Sequence, residues 1–199
     1  QIQNKLLLML KMLKMKVTIL FTLLTAPLTL QGSATLGLEI VQYLKSINTK
    51  IDNLLISVGG GGLISGVSSY VKQFYPKIKI IGVEPENANG LNQSFRANKP
   101  LNNVKVNSIA DSLSAPLHMQ YSFDVAKEVI DEMVTVSDDQ MKEFMVFCYK
   151  KFKLFLEPAC VAGLAALKYK INNKFIGKNT MVILCGSNID KKTWSDLTN

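Results

Sequence analysis

Hydrophobic and polar positions follow two alternating patterns along this chain. Short, mostly apolar runs at 54–58, 78–83, 132–136 and 180–184 have strand length, and a strand covered on both faces shows such a run instead of strict alternation. Between them the apolar residues recur at helical spacing. Ala34, Leu36, Leu38, Ile40, Val41 and Leu44 mark one helix, broken by Asn48 and the pair Asp52 and Asn53. Residues 63–74 mark a second, stopped by Pro76, and 123–130 a third. Ser137 followed by Asp138, Asp139 and Gln140 is an N-cap with an acidic first turn, opening a helix through Met141, Phe144, Phe147 and Cys148 toward Leu154. A further Ala- and Leu-rich helix spans 160–170, while 87–107 reads as a polar helix and loop and 108–116 as a small-residue turn. Strands alternating with helices predict an α/β fold: a parallel, twisted sheet with helices on both faces.

The unit from Leu54 to Val83 is strand, helix, strand, and its first turn is Gly59-Gly60-Gly61-Gly62-Leu63. A right-handed crossover places that turn at the carboxyl edge of the sheet, where open α/β folds bind ligands. Glycines entering a helix leave backbone N–H groups unpaired at the positive end of the helix dipole, and without Cβ atoms those amides can converge on one anion. A flexible surface loop is the alternative, but a linker carries polar residues on both sides. A P-loop is excluded because Leu63 and Ile64 stand where Lys and Ser or Thr would follow the last glycine. Glu84 lies about 20 residues beyond the glycines, which keeps a nicotinamide site open as a weaker reading.

Composition narrows the classes. The chain has 199 residues, 48% of them hydrophobic, enough for a core. Its net charge of +8 comes from lysines spread along the chain, with Arg96 the only arginine; a nucleic-acid surface would be clustered and arginine-rich. Cys148, Cys160 and Cys185 form no CxxC pair and His118 is the only histidine, which argues against a zinc site or disulfide framework and for a reducing, cytoplasmic compartment. Residues 1–31 stay unassigned: Lys11, Lys14 and Lys16 before the apolar run 17–24 resemble a secretory signal, yet the run is shorter than the ~18 residues of a membrane span. A segment cut from a longer chain is the preferred reading.

Cys185, Gly186 and Ser187 follow the last strand, so they share the carboxyl edge with the glycine turn. A thiol there can act as a weak hydrogen-bond partner; filling the core is its bland alternative.

The segments Val58–Leu63, Gly82–Ala88, Ile109–Leu113, Lys153–Ala159 and Leu184–Asp190, in that order and spacing, resemble the threonine/serine dehydratase family of pyridoxal-phosphate enzymes, which includes threonine ammonia-lyase and serine racemase. The resemblance runs from about Gly32 to the end. It implies the tryptophan-synthase-β-like fold, with 32–199 as part of the large cofactor-binding domain and the N-terminal part missing. It implies that Gly59, Gly60, Gly61, Gly62 and Leu63 bind the phosphate of pyridoxal 5'-phosphate, and that Cys185, with Gly186, hydrogen-bonds the pyridine nitrogen. Such a neutral partner favours β-elimination over transamination. The implied reaction converts L-threonine or L-serine to a 2-oxo acid and ammonia, in an enzyme that is a homodimer when complete and needs neither nucleic acid nor membrane.

Some relatives hold magnesium or a monovalent cation at positions matching Glu84 and the carbonyl of Ala88, but their third, acidic position is Gly90 here. A surface glutamate capping the strand end is the alternative for Glu84. The Schiff-base lysine lies in a motif ending in Arg-Gly, and no lysine of this chain has that setting. The chain is therefore expected to be the C-terminal half or two-thirds of a dehydratase, with a serine racemase-like enzyme or a non-catalytic remnant as alternatives. The absence of a regulatory domain after Asn199 argues against a feedback-controlled form.

Overall fold

The structure, a computed structural model, describes residues 27–198. The basic and apolar run at 11–24 lies outside them. In order the elements are α1 (Pro27–Ser46), β1 (Asn53–Ser57), α2 (Gly62–Phe74), β2 (Lys79–Pro85), α3 (Gly90–Arg96), α4 (Gln120–Val129), β3 (Glu132–Val136), α5 (Asp138–Phe152), α6 (Pro158–Ala166), β4 (Thr180–Val182) and α7 (Lys191–Thr198). Short 3-10 turns at Glu86–Ala88 and Asp111–Leu113 lie on the loops.

The sheet is four-stranded in the order β3-β2-β1-β4, and every pair is parallel. Side chains alternate across it as the pleat requires. Leu54, Ile56 and Ile80 pack with α1, α2 and α4, whereas Leu55, Ile81 and Val83 pack with α5 and α6. Both faces are therefore covered, which is why β1 is buried at every residue.

The helix expected from Ala34 is already present at Pro27, ahead of the position 32 from which the family pattern was read. The capping box of Ser137 with Gln140 opens α5 as its sequence indicates. The chain leaves the last strand two residues earlier than expected: the ladder ends at Val182, although the Ile183 amide still donates to Leu55 O at 3.1 Å. β2 runs two residues longer, because β3 continues alongside it and pairs Glu84 with Thr135 and Pro85 with Val136. That extension draws Glu84 into the interior, where it is 1% exposed, so the surface-cap reading of this residue is wrong.

A candidate active site at the carboxyl edge

β1 delivers the chain to Val58 and Gly59, and α2 begins at Gly62. Gly61 is the N-cap, at φ +86°, a left-handed conformation that a side chain makes costly. No side chain caps α2, and the first bond back into the turn comes from Ser65 N to Gly61 O at 3.0 Å, so the amides before it have no intrahelical acceptor. Ser33 Oγ from α1 donates to Gly62 O at 2.9 Å and fixes the first turn from behind.

A cavity of about 210 Å³ opens in front of this turn. Gly59, Gly60, Gly61 and Leu63 form one wall, and Cys185, Glu157, Ser112 and Leu113 the other. The two strand ends that the sequence placed at one edge thus meet across one space, while Gly62 and Gly186, also expected to hold the cofactor, are not among the residues that line it. A Cβ on Gly60 would meet nothing within 4 Å, and its φ needs no glycine. Nothing among the described residues therefore calls for a bare backbone at Gly60, whereas an anion seated against the loop would.

Glu157, the N-cap of α6, organises the far wall. Its Oε1 accepts from Ser112 Oγ at 3.0 Å and its Oε2 from Asn188 N at 3.2 Å, tying the 111–113 turn to the loop after β4. Gly186, at φ +146°, lies so close that a Cβ there would sit 2.5 Å from Glu157 Oε1. Desolvation, then the Glu157 carboxylate, push the Cys185 thiol above its ordinary pKa, so it keeps its proton and remains a neutral partner. Glu157 and Ser112 were within motifs legible in the sequence, but neither was assigned to the site. Their place in it depends on which side chains face the cavity, which spacing alone does not give.

These features fit the phosphate and ring nitrogen of pyridoxal phosphate: amides at an uncapped helix N-terminus for the first, a neutral thiol for the second. No lysine is among the described residues lining the cavity.

Glu84 and Ala88 sit elsewhere. Both Glu84 oxygens face the start of α3, Oε1 accepting from Leu91 N at 2.8 Å and Oε2 from Asn92 N at 2.9 Å. Burial raises its carboxyl to about 7, against the lowering effect of the Asn92 and Leu91 amides. Ala88 is 1% exposed, and the third ligand position is Gly90, with the His118 ring 2.8 Å from where its Cβ would be. With both carboxylate oxygens engaged and no acid at the third place, the described residues do not fit a cation there.

Comparison with known proteins shows the family. The model of a family described as pyridoxal-phosphate dependent enzymes matches residues 11–186. Phenylserine dehydratase of Ralstonia pickettii is 39% identical over 167 residues, 84% of this chain and 50% of its own length. Threonine deaminase isoform 2 of Solanum lycopersicum, solved in its processed form, aligns with TM-score 0.78 and 33% identity, covering 85% of this chain and 48% of its own. Maize serine racemase aligns with TM-score 0.75 and 30% identity, over 85% and 52%. The chain thus spans about half the length of each.

Proposed function

Because this chain belongs to the pyridoxal-phosphate dependent enzyme family, we propose that it is the part of an L-threonine/L-serine dehydratase that holds the cofactor's phosphate and ring nitrogen. The observation that carries this reading is the uncapped turn Gly59–Gly62 facing Cys185 across one cavity. Pyridoxal phosphate, when bound, supplies the electron sink that lets a β-hydroxyl leave an α-amino acid. The amides of the turn and Leu63 take the phosphate, with the α2 dipole adding to their attraction for its charge. The Cys185 thiol meets the pyridine nitrogen as a neutral group. Glu157 keeps Ser112 and Asn188 in place, so the cavity width is set by packed loops.

Phenylserine, threonine and serine share one arrangement, a hydroxyl on the carbon next to an α-amino acid centre, and its elimination is the common chemistry. On this reading the products are a 2-oxo acid and ammonia, and the complete enzyme works as a homodimer in the cytoplasm. The compartment is supported by Cys148, Cys160 and Cys185 all being free thiols. No described helix is long and apolar enough to cross a membrane.

The likeness to serine racemase favours a second reading, in which the Cα proton is returned to the opposite face. Sequencing the transcript upstream of Gln1, expressing the product and assaying it with L-serine and L-threonine decides between them. An in-frame lysine motif and release of 2-oxo acid are expected. D-serine without 2-oxo acid would favour the racemase, and a transcript without the lysine would leave a non-catalytic remnant.

A further inference from the structure

His118 is the one histidine of the chain, and it is buried behind the glycine turn at 2% exposure. Its Nε2 lies 3.0 Å from the Gly59 carbonyl oxygen. A carbonyl only accepts, so Nε2 carries the proton and donates. Its main chain is fixed separately, His118 N donating to Leu101 O at 3.1 Å.

We infer that His118 is a positioning residue for the glycine turn: by holding the Gly59 carbonyl toward the interior, it keeps the amides that follow turned into the cavity. The step from carbonyl to amide is geometric. In a trans peptide the C=O of one residue and the N–H of the next point in opposite directions, and no described peptide bond is cis. His118 is not among the cavity-lining residues, whereas Gly59 and Gly60 are. Anchoring Gly59 O on the ring side therefore turns the Gly60 N–H to the cavity side. Were the peptide to flip, an oxygen with partial negative charge would stand where an anion is to bind.

The other ring nitrogen shows that His118 does more than fill space. Nδ1 is buried with no hydrogen-bond partner among the described residues. An unpartnered buried acceptor is a cost that an apolar ring of the same shape would avoid. Burial, opposed by the Gly59 bond, holds the imidazole below its ordinary pKa, so the ring stays neutral with its single proton on Nε2.

The ligand side of this inference rests on the reading that the turn takes the cofactor phosphate; the geometry of the turn does not. Three forms of the 199-residue chain test it: wild type, His118→Phe and His118→Gln, the last placing an amide donor near the Nε2 position. Backbone nitrogen-15 relaxation and amide shifts at 59–63, without ligand, and titration with pyridoxal phosphate and inorganic phosphate are read alongside urea midpoints. The phenylalanine variant should show a more mobile turn with shifted amides and bind about 10-fold more weakly, the loss of one hydrogen bond. Glutamine should restore both. If glutamine is no better than phenylalanine, or if phenylalanine leaves the turn as ordered as in the wild type, His118 is packing alone and the inference falls. Nitrogen-15 shifts of the wild-type ring need no variant: a proton on Nδ1 would overturn the inference outright. A wild type that binds neither phosphate compound would sink the proposed function, while the relaxation comparison would still decide the role of His118.

Discussion

Ser57 Oγ donates to the carbonyl of Ala159 at 2.8 Å, joining the last residue of β1 to the first turn of α6. Through this buried bond the strand that delivers the glycine turn is fixed to the helix whose N-cap is Glu157, so both walls of the cavity share one anchor. Replacing Ser57 by alanine should lower stability by about 1 kcal/mol, the net worth of one such bond. Urea unfolding midpoints at an unchanged m-value check it.

Glu84 gives stability a pH dependence of defined sign. Burial raises its carboxyl from 4.5 to about 7, so between those values the folded chain binds more protons than the unfolded one. Its contribution is fully present below 4.5 and is lost as pH rises through 7, on the order of 3 kcal/mol in all. His118 acts in the opposite sense, its lowered pKa costing stability as pH falls below 6.5. In Glu84→Gln the loss between pH 4.5 and 7 should disappear and only the acid-side loss remain, as read by chemical denaturation across that range.

The fold was legible because its signals are local. All four strands lie at the apolar runs that predicted them, and α5 begins at its Ser137 capping box. The meeting of the glycine turn with Cys185 was legible as well, since parallel strands must end at one edge. What was not legible depends on neighbours distant in sequence. Glu84 looked like a strand-end surface group because nothing local announces that β3 runs on beside it. His118 counted only against zinc, because its bond to Gly59 spans a loop with no periodic pattern. Glu157 is one acid among many until the hydrogen bonds from Ser112 and Asn188 are seen.

Cys185 tunes and does not anchor. In a lysine-bearing form of the enzyme, Cys185→Ala should leave cofactor affinity largely intact. Turnover should slow about 10-fold, as expected for a tuning hydrogen bond worth about 1.4 kcal/mol in the transition state. Affinity by fluorescence titration and turnover of L-threonine, measured on the same preparation, separate the two effects.

The central claim is that the turn at Gly59–Gly62 is an anion cradle for the cofactor phosphate. Pyridoxal phosphate titrated into this chain and into Gly60→Asp tests it most directly. A Cβ at Gly60 meets no atom of the described residues within 4 Å, so the variant should keep its fold, while its carboxylate takes the anion's place and repels it. The account predicts saturable binding by the wild type, displaced by inorganic phosphate and without the absorbance of a lysine-linked cofactor, and no binding by a folded Gly60→Asp. Equal binding by both chains, or none by the wild type, would contradict it.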